Sequence, residues 1–216
     1  MDQGEAPAPG DRPPSEGLWS RKRLAAMQRV QRVALDLIEE RGYASVTVEE
    51  VALAAEVAPR SVYRYFGTKE GMVLWNETDL ALIEGLAAVL PEVGLMAALR
   101  TLADAVDGAM EGEALELGVR QLRLAHRTPE LRAQLAVAVT EYAAELSRAL
   151  AASQGKPPDD EASQVVAAAV MAGLTTALET WYLRGAREPM GAHIHAALDA
   201  LGALGAEAGG RGPAGD

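Results

Sequence analysis

Hydrophobic residues recur at spacings of three and four along almost the whole chain, which is the period of amphipathic helices. The first run spans residues 21–41, and Gly42 follows it as a stop. The same period continues to residue 205, interrupted by "GKPPDD" (155–160). No segment has a convincing strand pattern, so the predicted fold class is all-α. Further long helices are predicted at 68–91, 95–110, 113–126, 129–153, 159–185 and 190–205.

Two short helices are predicted between the first long helix and the second. "TVEEVALAAE" begins with Thr47 and has Glu50 three residues later, a capping box that starts a helix at 48–55. Pro59 suits the first position of a second helix at 59–66, with Ala58 as its cap residue. Thr68 can then cap the next helix.

The helix at 59–66 has two different faces when its residues are placed about 100° apart. Val62 and Phe66 share one side, and we expect them in the core. Arg60 and Arg64 lie opposite, flanked by Ser61 and Tyr63, with Tyr65 near the edge. Two short helices joined by a tight turn, the second with a basic outer face, indicate a helix-turn-helix that reads the DNA major groove. The alternative is a tyrosine-rich amphipathic helix that packs on a partner protein.

The distribution of charge changes the picture given by the net charge of −11. That net charge disfavours non-specific nucleic-acid binding. Residues 20–70 nevertheless hold nine Lys/Arg and seven Asp/Glu, whereas residues 71–216 hold ten and twenty. A local basic patch can set where an acidic protein contacts DNA.

Residues 47–73, "TVEEVALAAEVAPRSVYRYFGTKEGMV", resemble the DNA-binding signature of the TetR family of bacterial regulators. That signature is a Thr-capped helix, a three-residue turn, an aromatic-rich recognition helix, a Tyr/His-Phe pair and Ser/Thr-Lys-Glu. The resemblance covers roughly residues 21–73. It implies a homodimer whose subunits each have a three-helix DNA-binding domain at 20–67. A helical bundle for ligand binding and dimerisation would follow at 68–206, and the composition of 1–19 and 207–216 predicts disordered tails.

By position, the resemblance implies a set of DNA contacts and shows two departures. Glu56 stands where the family usually has Gly, and a left-handed residue there would cost about 1–2 kcal/mol. Ala58 replaces the usual Ser or Thr cap, a loss of about 1 kcal/mol. The implied DNA contacts are Thr47, Arg60, Ser61, Tyr63, Arg64, Tyr65 and Lys69.

The family pattern also places a dimer interface on the last two long helices and a ligand pocket in the larger domain. An apolar lining with methionines suggests a largely hydrophobic ligand. The candidate pocket residues are Trp75, Met96, Met110, Leu122, His126, Tyr142, Met171 and Trp181. The candidate dimer face is Ala167, Met171, Leu174, Leu178 and Tyr182; alternatively, this face packs inside its own subunit. Arg120, Arg123 and Arg127 could meet an acyl-CoA-like anion, although a solvated face is the simpler interpretation.

Other function classes lack support in the sequence. The chain has no cysteine, which excludes disulfides and thiolate metal sites and favours a cytoplasmic location. His193 and His195 are two apart and face different sides of a helix, so no metal site is predicted. No nucleotide-binding or nucleophile motif occurs, so we predict neither an enzyme nor a cofactor. The uncharged stretch at 162–178 is interpreted as a buried helix, not as a membrane span.

The resemblance therefore implies a ligand-responsive DNA-binding transcriptional regulator. It would be a repressor, released from a pseudo-palindromic operator by a largely hydrophobic small molecule. The alternative is a helical protein–protein interaction module without specific DNA binding. Steep salt dependence and a requirement for two half-sites distinguish the first from the second.

Overall fold

The computed structural model of the protein describes the backbone of residues 16–209 and the side chains of 21–76 and 85–204. This part of the chain contains α-helices, one short 3-10 helix (Tyr43–Ser45) and no strand, which confirms the all-α class. The α-helices are α1 (Glu16–Arg41), α2 (Val48–Ala54), α3 (Pro59–Phe66), α4 (Lys69–Leu74), α5 (Glu77–Val93), α6 (Leu95–Ala109), α7 (Gly112–Arg127), α8 (Pro129–Ser153), α9 (Glu161–Leu183) and α10 (Met190–Gly209).

The helix predicted at 68–91 is two helices, so the prediction of one continuous element was wrong. α4 ends at Leu74 and α5 begins at Glu77. The side-chain amide of Gln121 in α7 donates to the carbonyl of Trp75 at 2.8 Å. No proline or glycine lies between α4 and α5 to mark this break. The break was not predictable from the local sequence, because the residue that bonds its backbone lies 46 residues away.

The chain ends also differ from the predicted limits. α1 begins at Glu16, five residues before the predicted start, so residues 16–19 of the predicted tail are helical. α10 likewise continues to Gly209. The rest of both predicted tails lies outside the described residues.

The chain divides into two compact units, one ending at Val73 and one beginning at Leu74. The boundary drawn from the sequence, at 67–68, therefore falls six residues earlier. All of α4 except its last residue, Leu74, lies in the first unit, and its residues Met72 and Val73 are fully buried. In addition, the buried side-chain amide of Gln31 lies 3.5 Å from the carbonyl of Val73.

The second unit is a bundle in which α9 packs between α8 and α10, and α10 also packs on α6. One core cluster joins Leu99, Leu146, Ala167, Val170 and Leu198. A second cluster, formed by Val106, Trp181 and Met190, lies further along α9. The indole of Trp181 is 2 % exposed, and its N–H donates to the Glu188 carbonyl at 2.8 Å.

α9 has a buried face and an exposed apolar face. An 18-residue window of this helix has a mean hydropathy of 1.3, so its length and composition alone would allow a membrane span, a test that core helices also pass. Only 22 % of the window is buried within the chain, so the prediction of a buried helix holds for one face only. Val165 and Val166 lie on the exposed face.

The turn between α2 and α3 contains the unusual backbone that the sequence predicted. Glu56 has φ 54°, which confirms a left-handed residue at a position without glycine. Ala58 makes no side-chain cap hydrogen bond to α3. Two other bonds hold the turn: Val57 N–H donates to Ala52 O at 2.9 Å, and Arg29 Nε donates to Ala55 O at 2.8 Å.

We expect Glu56→Gly to stabilise the protein by about 1 kcal/mol, because glycine removes the left-handed penalty while adding some unfolded-state entropy. Urea denaturation followed by circular dichroism measures this as a higher midpoint. Ala25→Gly, at an exposed position inside α1, is the matched control and should lower stability by about 0.5–1 kcal/mol. Equal destabilisation by both variants would show that the turn is not strained at Glu56.

Candidate nucleic-acid interface and ligand cavity

One side of α3 packs against the rest of the first unit, and the opposite side is exposed to solvent. Val62 is 1 % exposed and anchors the helix against the first unit's core. Arg60 and Arg64, one turn apart, are exposed on the opposite side, as predicted. Phe66 is only half-buried, so the expectation that it is a core residue is met in part. α3 therefore carries two guanidinium groups outward.

Thr47 and Glu50 form the predicted capping box at the start of α2. The Thr47 hydroxyl accepts from the Glu50 N–H at 3.2 Å, and a Glu50 carboxylate oxygen accepts from the Thr47 N–H at 2.8 Å. The bond that the Thr47 N–H donates to the Glu50 carboxylate, and next the one that the Thr47 hydroxyl donates, lower the pKa of Glu50. The Thr47 hydroxyl also donates to Glu50 at 2.9 Å, so it is already engaged within α2.

The two tyrosines of α3 are oriented by polar neighbours. The Tyr63 hydroxyl donates to the Glu49 carboxylate at 3.1 Å, and this bond raises the pKa of Tyr63. Tyr63 still has 46 % of its surface exposed. Arg64 lies over the ring of Tyr65, 5.2 Å from its centroid, and Nη2 donates to the Tyr65 hydroxyl at 3.4 Å. The Arg64 guanidinium therefore contacts Tyr65 on its own helix.

Lys69 is tied to the 3-10 helix. Its ammonium group donates to the Tyr43 carbonyl and lies 3.9 Å from the centroid of the Tyr43 ring. The Tyr43 hydroxyl donates to the Glu70 carboxylate and lowers its pKa. By contrast, the side chains of Arg60 and Ser61 make no hydrogen bond or ion pair within the described part of the chain.

The second unit contains a cavity of about 340 Å³. It is lined by side chains of α5 to α10 together with Leu74 and Asn76, and most of them are Leu, Ala, Met, Val or Ile. The volume lies near the lower end of the roughly 300–1,000 Å³ typical of small-molecule sites. The arrangement can therefore enclose an apolar molecule.

Five of the eight predicted pocket residues line this cavity, and three lie elsewhere. Trp75 is outside the lining, and its carbonyl holds Gln121. Met96 packs against the core cluster around Leu99. His126 stacks on Tyr182, with ring centroids 4.8 Å apart. The five that line the cavity are Met110, Leu122, Tyr142, Met171 and Trp181.

Sequence reasoning missed the polar part of the lining. Asn76, Gln121, Glu145 and Thr175 all face the cavity. Glu145 follows Tyr142, a predicted pocket residue, by three residues. Because residues three apart lie on the same side of a helix, the sequence could have predicted that Glu145 also faces the cavity. The predicted arginine face of α7 does not reach the cavity among the described lining residues: Arg123 and Arg127 are exposed, and Arg120 is half-buried.

The histidines do not assemble a metal site among the described residues. His193 Nε2 lies 3.1 Å from a Glu188 carboxylate oxygen, and His195 Nε2 lies 2.8 Å from Asp104 Oδ1. His193 and His195 therefore pair with two different carboxylates.

Comparison with known proteins decides the family. Residues 32–74 match the profile described as bacterial regulatory proteins of the TetR family, and residues 93–204 match the MftR C-terminal domain. The chain is 34 % identical over 214 residues to the HTH-type transcriptional regulator TcmR of Streptomyces glaucescens, covering 93 % of this chain and 94 % of that one. The chain belongs to the TetR family.

Two further relatives agree with this TetR-family assignment. MftR of Mycobacterium tuberculosis (strain ATCC 25618 / H37Rv), whose name refers to transcriptional regulation of mycofactocin biosynthesis, is 28 % identical over 193 residues, covering 88 % of this chain and 96 % of that one. The structure of the fatty acid degradation regulator FadR from Bacillus halodurans matches with a TM-score of 0.53 at 20 % identity, covering 82 % of this chain and 94 % of that one. The second likeness concerns the fold alone.

TetR-family regulators bind operator DNA, dimerise and bind small-molecule ligands, and the helix-turn-helix of this member is α2 and α3. The five residues predicted for its dimer face, however, lie on the inner side of α9. Ala167 is buried, and Leu174 packs against the same core cluster. Met171 and Leu178 line the cavity, and Tyr182 stacks on His126. Within a single chain these residues contact neighbouring helices, and their role in a dimer stays a prediction.

We expect Arg64→Ala in this TetR-family protein to weaken operator binding by about 1–3 kcal/mol for each lost base contact. The dimer should remain intact in sedimentation, because Arg64 is exposed on the first unit. Arg148→Ala, an exposed arginine of α8, makes the same charge change and should bind the operator normally. Indistinguishable DNA titrations of Arg64→Ala and wild type across salt concentrations would remove Arg64 from the interface.

Proposed function

We propose that this TetR-family regulator is a repressor that binds a pseudo-palindromic operator as a homodimer and is released by a largely hydrophobic small molecule. The observation that carries the proposal is the outer face of α3. Arg60 and Ser61 have no internal partner among the described residues, and Arg64 lies over the ring of Tyr65. A helix of this kind offers guanine-reading arginines to a major groove.

The proposed DNA contacts fall into two groups, according to the part of the DNA that each side chain would contact. Arg60, Ser61 and Arg64 would reach the bases or nearby phosphates. Thr47, Tyr63, Tyr65 and Lys69 would contact the backbone, which positions a protein without reading sequence. Because Thr47, Tyr63 and Lys69 already bond within the protein, their contribution to DNA binding includes holding the helix-turn-helix in shape.

The proposed dimer interface uses the exposed faces of α9 and α10. On α9 that face includes Val165, Val166 and Ala172, and on α10 it includes Ala196 and Leu204. The small alanine side chains let helices approach closely, and burial of the valines and Leu204 in a dimer would remove apolar surface from water. The exposed apolar face of α9, which gives this helix its high hydropathy, would then be buried at the dimer interface.

The proposed effector is a hydrophobic molecule in the cavity of the second unit. The apolar lining supports this choice. An acyl-CoA-like effector held by Arg120, Arg123 and Arg127 has less support, because none of them is among the described lining residues. To release DNA, the effector must bind the DNA-free conformation more tightly than the DNA-bound one.

We also infer that the protein acts in the cytoplasm and is not an enzyme. The cavity lining offers one half-buried carboxyl group and no described histidine, so a nucleophile–base pair is not assembled there. Regulation through binding requires no such pair.

The proposed function is tested by fluorescence anisotropy with the DNA upstream of the protein's own gene, in the presence of random-sequence competitor. A dimer with 6–10 phosphate contacts should lose roughly 10³–10⁵ in affinity between 50 mM and 200 mM salt. If that DNA is not bound, selection from random sequences should recover an operator with two half-sites. Failure of both experiments would contradict DNA recognition and favour a protein–protein interaction module.

A further inference from the structure

The cavity contains one formally ionisable carboxyl group in an otherwise apolar lining. Among the described lining residues, Glu145 alone carries a carboxyl or a basic group. It lies on α8 between Tyr142 and Ala149, and its side chain is half-buried. Within the described part of the chain it makes no hydrogen bond or ion pair. A ligand in the cavity would therefore meet an uncompensated carboxylate.

Other polar groups of the lining already bond within the protein. The Gln121 amide donates to the Trp75 carbonyl at 2.8 Å, and the Thr175 hydroxyl donates to the Met171 carbonyl at 2.8 Å. Asn76 and Tyr142 also interact within the protein. The Glu145 carboxylate and the Thr175 hydroxyl oxygen can therefore each accept a hydrogen bond from a ligand in the cavity.

A carboxylate that loses water to an apolar ligand is destabilised unless the ligand replaces the lost hydrogen bonds. A ligand ammonium or hydroxyl group can do so, since each donates a hydrogen to the carboxylate. A ligand carboxylate cannot, because two anions at short range in a poorly hydrated site repel each other. The position of Glu145 therefore discriminates between ligands with the same apolar body.

We propose that the effector is an apolar molecule with a hydrogen-bond-donating head group, an ammonium or a hydroxyl, and that Glu145 selects it against carboxylates. This inference rests on the proposed function, because it names the ligand class of the same cavity. It makes Glu145 a specificity-determining residue that binds the head group, while the surrounding Leu and Met side chains bind the body.

The test uses three fluorescent probes with one apolar body: 1-pyrenemethylamine, 1-pyrenemethanol and 1-pyrenecarboxylate. Titration of the wild-type protein should give affinities for the amine and the alcohol at least about tenfold above that for the carboxylate, equivalent to roughly 1.4 kcal/mol. In Glu145→Gln, the preference for the amine over the carboxylate should fall at least about tenfold. The alcohol should still bind, because an amide oxygen accepts its hydrogen bond.

The matched control is Glu141→Gln, one turn earlier on α8 and exposed. It makes the same change in net charge, so it corrects for the general attraction of a cation to a protein with a net charge of −11, and it should keep the wild-type preference. Thermal unfolding of both variants checks that they fold. The proposal is overturned if the wild-type protein binds the carboxylate as tightly as the amine. It is equally overturned if Glu145→Gln changes the preference no more than Glu141→Gln, or if no probe binds.

Operator binding by the ligand-free wild-type protein, measured in parallel, separates this inference from the proposed function. If the protein binds its operator normally but shows no head-group preference, the proposed ligand class is wrong and the proposed regulatory function stands. If the protein does not bind an operator but shows the head-group preference, the proposed regulatory function is wrong and the ligand-binding role of Glu145 stands.

Discussion

The burial of Val62 is the constraint on which the DNA-binding unit depends. α3 has eight residues, too few for a helix that is stable by itself in water, so its position must come from packing. The buried valine fixes the inner face, and Arg29 holds the end of α2 through the Ala55 carbonyl. With the inner face fixed, Arg60 and Arg64 necessarily point outward. The left-handed Glu56 is tolerated because the surrounding bonds determine the turn.

Much of this first unit could be predicted from the sequence because its determinants are local. The Thr47–Glu50 capping box, Pro59 at the start of α3 and the opposite positions of Val62 and Arg64 are all set within a few residues. The partial exposure of Phe66 could not be predicted, since the period of a helix gives a direction and not the depth of burial. The break after Leu74 was missed because Gln121, far along the chain, stabilises it.

In the second unit, the long helices were predictable and their faces were not. α9 has apolar residues on nearly all sides, so periodicity alone did not show which side faces its own subunit. Ala167 and Leu174, chosen for the dimer face, contact the core of the second unit, whereas Val165 and Val166 are exposed on another side of α9. The cavity combines the inner face of α9 with residues from six other helices, which explains why Glu145 was overlooked. In the proposed role, its single carboxyl group makes an apolar cavity prefer ligands with a hydrogen-bond-donating head group over carboxylates, which leucine and methionine side chains cannot do.

The most direct test of the account is to locate α3 on bound DNA. The chain has no cysteine, so Ser61→Cys creates a single attachment point for an iron-chelate cleavage reagent on α3, and Asp159→Cys in an exposed loop serves as the control. On operator DNA, the account predicts two clusters of cleavage, one per subunit, roughly one helical turn or more apart, from the Ser61→Cys protein alone. Bound DNA that is cut equally from both positions, or only from the Asp159→Cys protein, would contradict recognition by α3.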